Sequence, residues 1–140
     1  MTKPTKLFFI RHAPIKQRPG FFPKKNCNAI IKNNQIKKLS HFIPNNCICY
    51  VSPLKRTLQT AKALSKYVSF SEIILEKKLE EQNFGDWSGK KVSDIWKILE
   101  KSKTKNNFSF ISAKITPPNG ESFLEQCNRI SIWLENLNYL

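Results

Sequence analysis

The sequence predicts an α/β layered domain, and three observations carry that expectation. Two continuous apolar runs, Leu7-Phe8-Phe9-Ile10 and Cys47-Ile48-Cys49-Tyr50-Val51, lack the alternation of a half-exposed strand. Runs of this kind read as strands covered on both faces, as in a parallel sheet. Apolar residues after the second run recur at helical spacing, each stripe facing one side. Strand and helix signals follow one another as β, β, α, β, α, α, a pattern of mixed layers rather than of a bundle or a sandwich.

Leu7 to Ile10 is the first predicted strand, ending abruptly at Arg11-His12. A polar loop holding Pro14, Pro19, Gly20 and Pro23 follows. The Lys- and Asn-rich stretch to about Lys38 is expected to be poorly ordered or weakly helical. Cys47 to Val51 is the second strand. Ser52-Pro53 then fits an N-cap with proline at the first helical position. Leu54, Leu58, Ala61, Leu64 and Val68 mark that helix to about Tyr67. Ile73-Ile74-Leu75 is a short third strand. Beyond Gly85, Val92, Ile95, Trp96 and Leu99 predict a further helix. Asn106 to Pro118 is expected to be mostly loop. A last helix begins near Glu121, with Phe123, Cys127, Ile130, Leu134 and Leu137 as its stripe. In a layered fold the next element is a strand, and the chain stops at Leu140 before one.

The chain has 140 residues, 40% hydrophobic and 11% aromatic, enough to build a core and too few for two ordinary domains. Its 24 Lys+Arg against 10 Asp+Glu give a net charge of +14, which suits an anionic partner. The lysines are spread from Lys3 to Lys114 without forming a block. Lys, Asn and Ile are over-used together, a bias that an AT-rich coding sequence imposes by itself. The aromatics sit at core-like spacings rather than between lysines, which speaks against a nucleic-acid surface. Cys27, Cys47, Cys49 and Cys127 form no Cys-x-x-Cys pair, and His12 and His41 are not spaced as zinc ligands beside them. Cys47 and Cys49 fit small buried side chains of a strand. Four apolar residues near the start are too few for a signal-peptide core or a membrane span, so a reduced, cytoplasmic protein is expected.

Three segments carry candidate chemistry. Arg11-His12 closes the first strand at the carboxyl end, where open α/β sheets bind ligands; taken alone, a histidine there is more often structural than catalytic. Ser52 to Ala61 places Arg56 in the first turn of a helix, from which it could reach an anion held at the helix N-terminus; alternatively it is an ordinary surface arginine. Leu79-Glu80-Glu81-Gln82-Asn83-Phe84-Gly85-Asp86-Trp87-Ser88-Gly89-Lys90 offers a proton donor or merely a solvated acid pair. Gly85 to Lys90 is one residue short of a nucleotide phosphate loop, and Lys91 stands where Ser or Thr binds magnesium.

Together and in this order these segments resemble the histidine phosphatase superfamily, also called the phosphoglycerate mutase-like family. Arg11-His12-Ala13 is similar to its arginine-histidine-glycine signature, with Ala13 in place of glycine. Ser52 to Ala61 is similar to its second-arginine motif. Leu79, Glu81, Phe84, Gly85, Trp87 and Gly89 resemble its acid loop, and Pro117-Pro118-Asn119-Gly120-Glu121-Ser122 resembles the loop opening a late helix. The resemblance implies a three-layer α/β/α phosphoglycerate mutase-like fold spanning residues 1–140, incomplete at its C-terminus. The strand and second catalytic histidine that the family places downstream are not in the sequence, and His41 lies in the wrong position to replace that histidine.

By the same resemblance His12 is the nucleophile and forms a phosphohistidine. Arg11 and Arg56 bind the phosphoryl group and favour the neutral imidazole. Glu81 is the general acid and base. The implied partner is a small-molecule phosphate ester, with no nucleic acid, membrane, metal or cofactor. Pro14 and the Phe84-Gly85-Asp86-Trp87 loop are most similar to the small phosphatases around α-ribazole phosphatase. An inactive relative that binds phosphate or a protein without turnover is the alternative.

Overall fold

Parallel pairing of Ile48–Val51 (β1) with Glu72–Leu75 (β2) sets the sheet, in register Ile48 with Glu72 through Val51 with Leu75. The computed structural model describes residues 5–101 and 112–137. The helices are α1 (Asn33–Ser40), α2 (Lys55–Leu64), α3 (Val92–Lys101) and α4 (Phe123–Leu137), with short 3₁₀ turns at Lys77–Leu79 and Gly85–Trp87. The mixed α/β class with parallel strands agrees with the sequence. The chain divides into two compact units, one of Met1–Lys16 and Cys27–Leu75, the other of Gln17–Asn26 and Glu76–Leu140.

In the first unit α1 and α2 bury Ile36, Ile43, Ala63, Leu64 and Val68 together, with Ile31, Leu39, Cys47 and Phe70 packed around them. Each fully buried aliphatic side chain stabilises such a core by about 1.5–3 kcal/mol. Of the two expectations for the Lys/Asn-rich stretch, poor order or weak helix, its end takes the helical one, because Ile36 (4% exposed) and Leu39 give it one apolar side to dock. β1 and β2 are joined by the α2 crossover that parallel pairing requires.

Two expectations about this unit are corrected. Leu7 to Ile10 is not a strand: no strand pairing includes it, and its side chains are 40–78% exposed. An apolar run states only that burial would be favourable; a strand also needs a backbone partner and covered faces, and neither forms here. The helix after β1 starts at Lys55, with Leu54 as N-cap, two residues later than Ser52-Pro53 suggests. Ser52 instead accepts the Leu54 N–H through Oγ at 3.5 Å, while Thr57 Oγ1 donates to the carbonyls of Ser52 (2.6 Å) and Leu54 (2.5 Å). α2 therefore faces inward with Arg56, Thr60, Ala61, Ala63 and Leu64, and Leu58 is 37% exposed.

The second unit packs Phe22, Trp87, Ile95 and Leu99, with Phe84, Val92 and Ile115 alongside. Phe22 meets Phe84 and Trp87 in tilted pairs, centroids 5.0 and 5.8 Å apart, a preferred aromatic geometry. Ser122 and Glu125 form a capping box at the start of α4: Ser122 N–H donates to Glu125 Oε2 (2.6 Å) and Glu125 N–H to Ser122 Oγ (3.2 Å). The predicted α4 stripe holds only in its later turns. Ile130, Leu134 and Leu137 are half-buried, but Phe123 (53%) and Cys127 are exposed, and Trp133 (8%) is the buried residue of the helix. Of the predicted loop Asn106 to Pro118, residues 106–111 lie outside the described residues; residues 112–118 hold neither helix nor strand. The four cysteines form no disulfide with one another.

Two loops of this unit meet backbone to backbone. A Cβ on Gly85, whose φ is +49°, would lie 2.1 Å from the Pro118 carbonyl oxygen, and one on Gly120 would lie 2.4 Å from the Asn83 carbonyl oxygen. Gly85 is therefore demanded twice, by its left-handed backbone and by the contact. Gly120→Ala is expected to push the loops apart and to lower stability by about 1–3 kcal/mol, the usual cost of overpacking. Thermal melting checks this; an unchanged midpoint would contradict the contact.

Candidate active site

Helix α2 organises the segments around Arg56. Arg56, at its second residue, is 1% exposed, and Thr60 one turn later is 4% exposed. A guanidinium so far from water is costly unless acceptors or an anion face it. Arg56 Nη1 donates to Cys27 Sγ at 3.6 Å. Gln59 Oε1 accepts the Ala29 N–H at 2.8 Å, and Gln59 Nε2 donates to Asn28 Oδ1 at 3.1 Å. Thr60 Oγ1 accepts the Ala13 N–H at 2.9 Å and donates to the Arg56 carbonyl at 2.8 Å. Ile15 and Ala29 form an antiparallel bridge, and Ile30 N–H donates to the Pro14 carbonyl at 2.6 Å. Residues spaced at i, i+3 and i+4 on one helix therefore hold the segment that follows the predicted nucleophile and the one bridged to it.

The His12 ring is half-buried, with Nδ1 2.8 Å from the Ala13 carbonyl oxygen. A carbonyl only accepts, so Nδ1 carries the hydrogen; in the neutral ring Nε2 then holds the lone pair. A ring fixed in this way presents one nitrogen to an electrophile. Arg11 is exposed. His12, Arg11 and Arg56 belong to one unit, and the described link from the His12 segment to Arg56 runs through Ala13 and Thr60.

Glu81 belongs to the other unit, where it is exposed between the 3₁₀ turn Lys77–Leu79 and the Phe84-Gly85-Asp86-Trp87 turn. Its neighbours are firmly held. Arg129 of α4 makes a two-pronged contact with Glu121, Nε to Oε2 at 2.9 Å and Nη2 to Oε1 at 2.6 Å. The same guanidinium donates to the carbonyls of Lys78 and of Glu80, the latter at 2.6 Å. Glu121 Oε1 accepts the Asn83 N–H at 2.9 Å, the Glu121 N–H donates to the Asn83 carbonyl at 2.8 Å, and Gln82 Nε2 donates to the Glu121 carbonyl at 3.0 Å. The Glu80 carboxylate faces Lys25 Nζ at 3.4 Å. The hydrogen bonds from Arg129 hold the Glu121 carboxyl below the usual carboxylate range, opposed by partial burial and helped by the Asn83 N–H. Glu121 in turn raises Arg129 above its ordinary value. Among the described residues no group of three His, Cys, Asp or Glu side chains is arranged to hold a metal ion, and no helix is long and apolar enough to cross a membrane.

The residue pattern alone does not single out Gln59, Thr60 or Arg129. The first two lie one turn from Arg56 on its own helix. Arg129 follows Glu121 and Glu125 at four-residue intervals, a spacing close to one helical turn that was the available signal.

The family model described as histidine phosphatase superfamily (branch 1) matches residues 33–139. That range contains Arg56 and Glu81 and begins after Arg11 and His12. No curated protein sequence matches the chain at a significant level. Among solved structures, a protein proposed to be an alpha-ribazole-5'-P phosphatase from Escherichia coli is similar at a TM-score of 0.66 and 20% identity, over 86% of this chain and 60% of its own. A mycobacterial glucosyl-3-phosphoglycerate phosphatase gives 0.65 and 18%, over 90% and 60%. A phosphoglycerate mutase from Thermus thermophilus gives 0.59 and 19%, over 89% and 68%. At these identities the likeness is one of fold, phosphoglycerate mutase-like, and the chain spans about three-fifths of the first two structures.

Two outcomes are expected. Thr60→Val leaves the Ala13 N–H without its acceptor and costs about 1–3 kcal/mol; Thr60→Ser restores the loss, read by thermal melting. Because Glu121 titrates lower when folded, its contribution is fully present above the ordinary glutamate value of about 4.3 and fades as pH falls through the folded value. Melting against pH should therefore show an acid-side loss that Glu121→Gln reduces.

Proposed function

Because the chain belongs to the histidine phosphatase superfamily, we propose that it hydrolyses a small phosphate monoester through a phosphohistidine on His12. The observation that carries this reading is the Nδ1 contact to the Ala13 carbonyl, 2.8 Å, which leaves Nε2 as the attacking nitrogen. Nε2 bonds to phosphorus as the bond to the alcohol oxygen breaks, and Glu81 delivers its proton to that oxygen. A water then attacks phosphorus, giving its proton to the Glu81 carboxylate; the P–N bond breaks and phosphate leaves. Arg11 and Arg56 hold the phosphoryl oxygens and offset the charge that gathers on them. Glu81 rather than Glu80 is the acid in this scheme because it lies two residues after Leu79 and three before Phe84, the spacing of the acid loop that the segment resembles. No metal or cofactor takes part in this scheme, and the site of action is the cytoplasm. Hydrolysis rather than phosphoryl return to a second hydroxyl is the favoured outcome, with a nucleotide-like 5'-phosphate such as that of α-ribazole the first substrate to offer.

A second reading is that the chain binds phosphate without turnover. It is favoured by the exposure of Leu7 to Ile10, since the segment leading into His12 is not built into the sheet.

Purified chain given p-nitrophenyl phosphate and α-ribazole 5'-phosphate decides between them. Turnover with a trappable phosphoenzyme, both abolished in His12→Ala, is the expected result. Arg56→Ala should lower kcat by about 10²–10³-fold, as loss of a preorganised charge-stabilising donor does. Phosphate binding without turnover would select the second reading. Turnover surviving His12→Ala would refute the phosphohistidine.

A further inference from the structure

We propose that Glu121 and Arg129 position the proton donor, by fixing the backbone on both sides of Glu81; the inference rests on Glu81 being the general acid. Neither residue touches the phosphate in this scheme, and neither is a catalytic residue. Their effect is on where the Glu81 carboxyl is presented.

The residue before Glu81 is held at its carbonyl by Arg129 Nη2, 2.6 Å, and the turn leading to it at the Lys78 carbonyl. The residue after it is held through its side chain, Gln82 Nε2 to the Glu121 carbonyl at 3.0 Å. The next, Asn83, is held at both backbone groups by Glu121, at 2.9 and 2.8 Å. Glu121 and Arg129 are themselves locked by two parallel bonds, a geometry that admits one relative orientation. The capping box at Ser122 and Glu125 sets the start of α4 directly after Glu121, so the carboxylate has a fixed base. These anchors bracket the exposed side chain of Glu81 from both directions. A surface loop ordinarily leaves its side chains free to wander; here the backbone beside one of them is fixed by a cation 49 residues away in sequence but adjacent in space. The mutual stabilisation of the two charges keeps the brace intact across neutral pH.

A positioned general acid matters in proportion to how poor the leaving group is. The first step moves the Glu81 proton onto the departing oxygen; a nitrophenolate leaves without that help, whereas an alkoxide does not. The test therefore compares p-nitrophenyl phosphate with an alkyl phosphate, for the whole chain and for Glu81→Gln, Arg129→Lys and Glu121→Gln. Glu81→Gln should lose about 10²-fold or more on the alkyl ester and little on the nitrophenyl ester. Arg129→Lys, which keeps the charge but not the fork, and Glu121→Gln should lose about 10-fold or more on the alkyl ester alone, as a small misplacement of a catalytic group does. Equal losses on both esters in the Arg129 and Glu121 variants, with Glu81→Gln still selective, would overturn the positioning role and leave the acid in place. Lack of leaving-group selectivity in Glu81→Gln, or a wild-type chain inactive on both esters, would overturn the acid and the inference with it. Arg129→Lys is expected to lower the melting midpoint as well, and because loss of folded protein lowers turnover of both esters alike, the ester-selective loss is what reads positioning.

Discussion

One guanidinium organises the second unit. Arg129 reaches a carboxylate and two main-chain carbonyls at once, and it ties residues 78–80 to the start of α4, some fifty residues later in sequence. A planar fork with five donors can satisfy this many acceptors at fixed angles, which a lysine cannot. Exposed ion pairs ordinarily contribute little to stability. This one is partly shielded and embedded among backbone hydrogen bonds, so its value lies in geometry more than in Coulomb energy. The aromatic cluster of Phe22, Phe84 and Trp87 supplies the apolar attraction for the unit, and the Arg129 contacts select one arrangement of the loops beside it.

The first unit solves a similar problem with a helix face. Arg56, Gln59 and Thr60 stand within about one turn of α2, and the latter two use side-chain hydrogen bonds to hold strandless backbone beside Arg56. Segments without ladder bonds must satisfy their N–H and C=O groups some other way; here Thr60 and Gln59 serve Ala13 and Ala29. That arrangement steadies the backbone against which the ring of His12 takes a defined tautomer, although Leu7 to Ile10 joins no sheet.

Much of this is legible from residues alone, and the limits have physical causes. The helices α2, α3 and α4 follow from short-range periodicity, which burial of one face enforces, and the parallel pair from continuous apolar runs, although Ile48, Ile73 and Leu75 stay 48–63% exposed rather than covered on both faces. The segment Leu7 to Ile10 misleads because hydrophobicity reports a preference for burial but not the presence of a neighbour to pair with. The first turns of α4 mislead because a stripe can be drawn through Phe123 and Cys127 as readily as through Trp133; contacts with Lys78 and Glu80, some fifty residues earlier, choose between them. Thr60 and Arg129 escape a reading of the sequence for the same reason: their partners include main-chain atoms, which carry no residue type to read. Arg11, His12, Arg56 and Glu81 can be named because side-chain chemistry is written in the sequence, whereas the backbone that presents them is not.

The contact between Gly85 and Gly120 has a consequence for how this architecture can be altered. Each glycine occupies space that the opposite backbone would deny to any side chain, so the two loops are complementary surfaces rather than independent decorations. A chimera that imports residues 82–89 from another protein while keeping residues 117–122 joins halves shaped for different counterparts. Variation in one loop is then heritable only as a matched set with the other, and recombination points between them carry a penalty that neither loop shows when exchanged together with its mate.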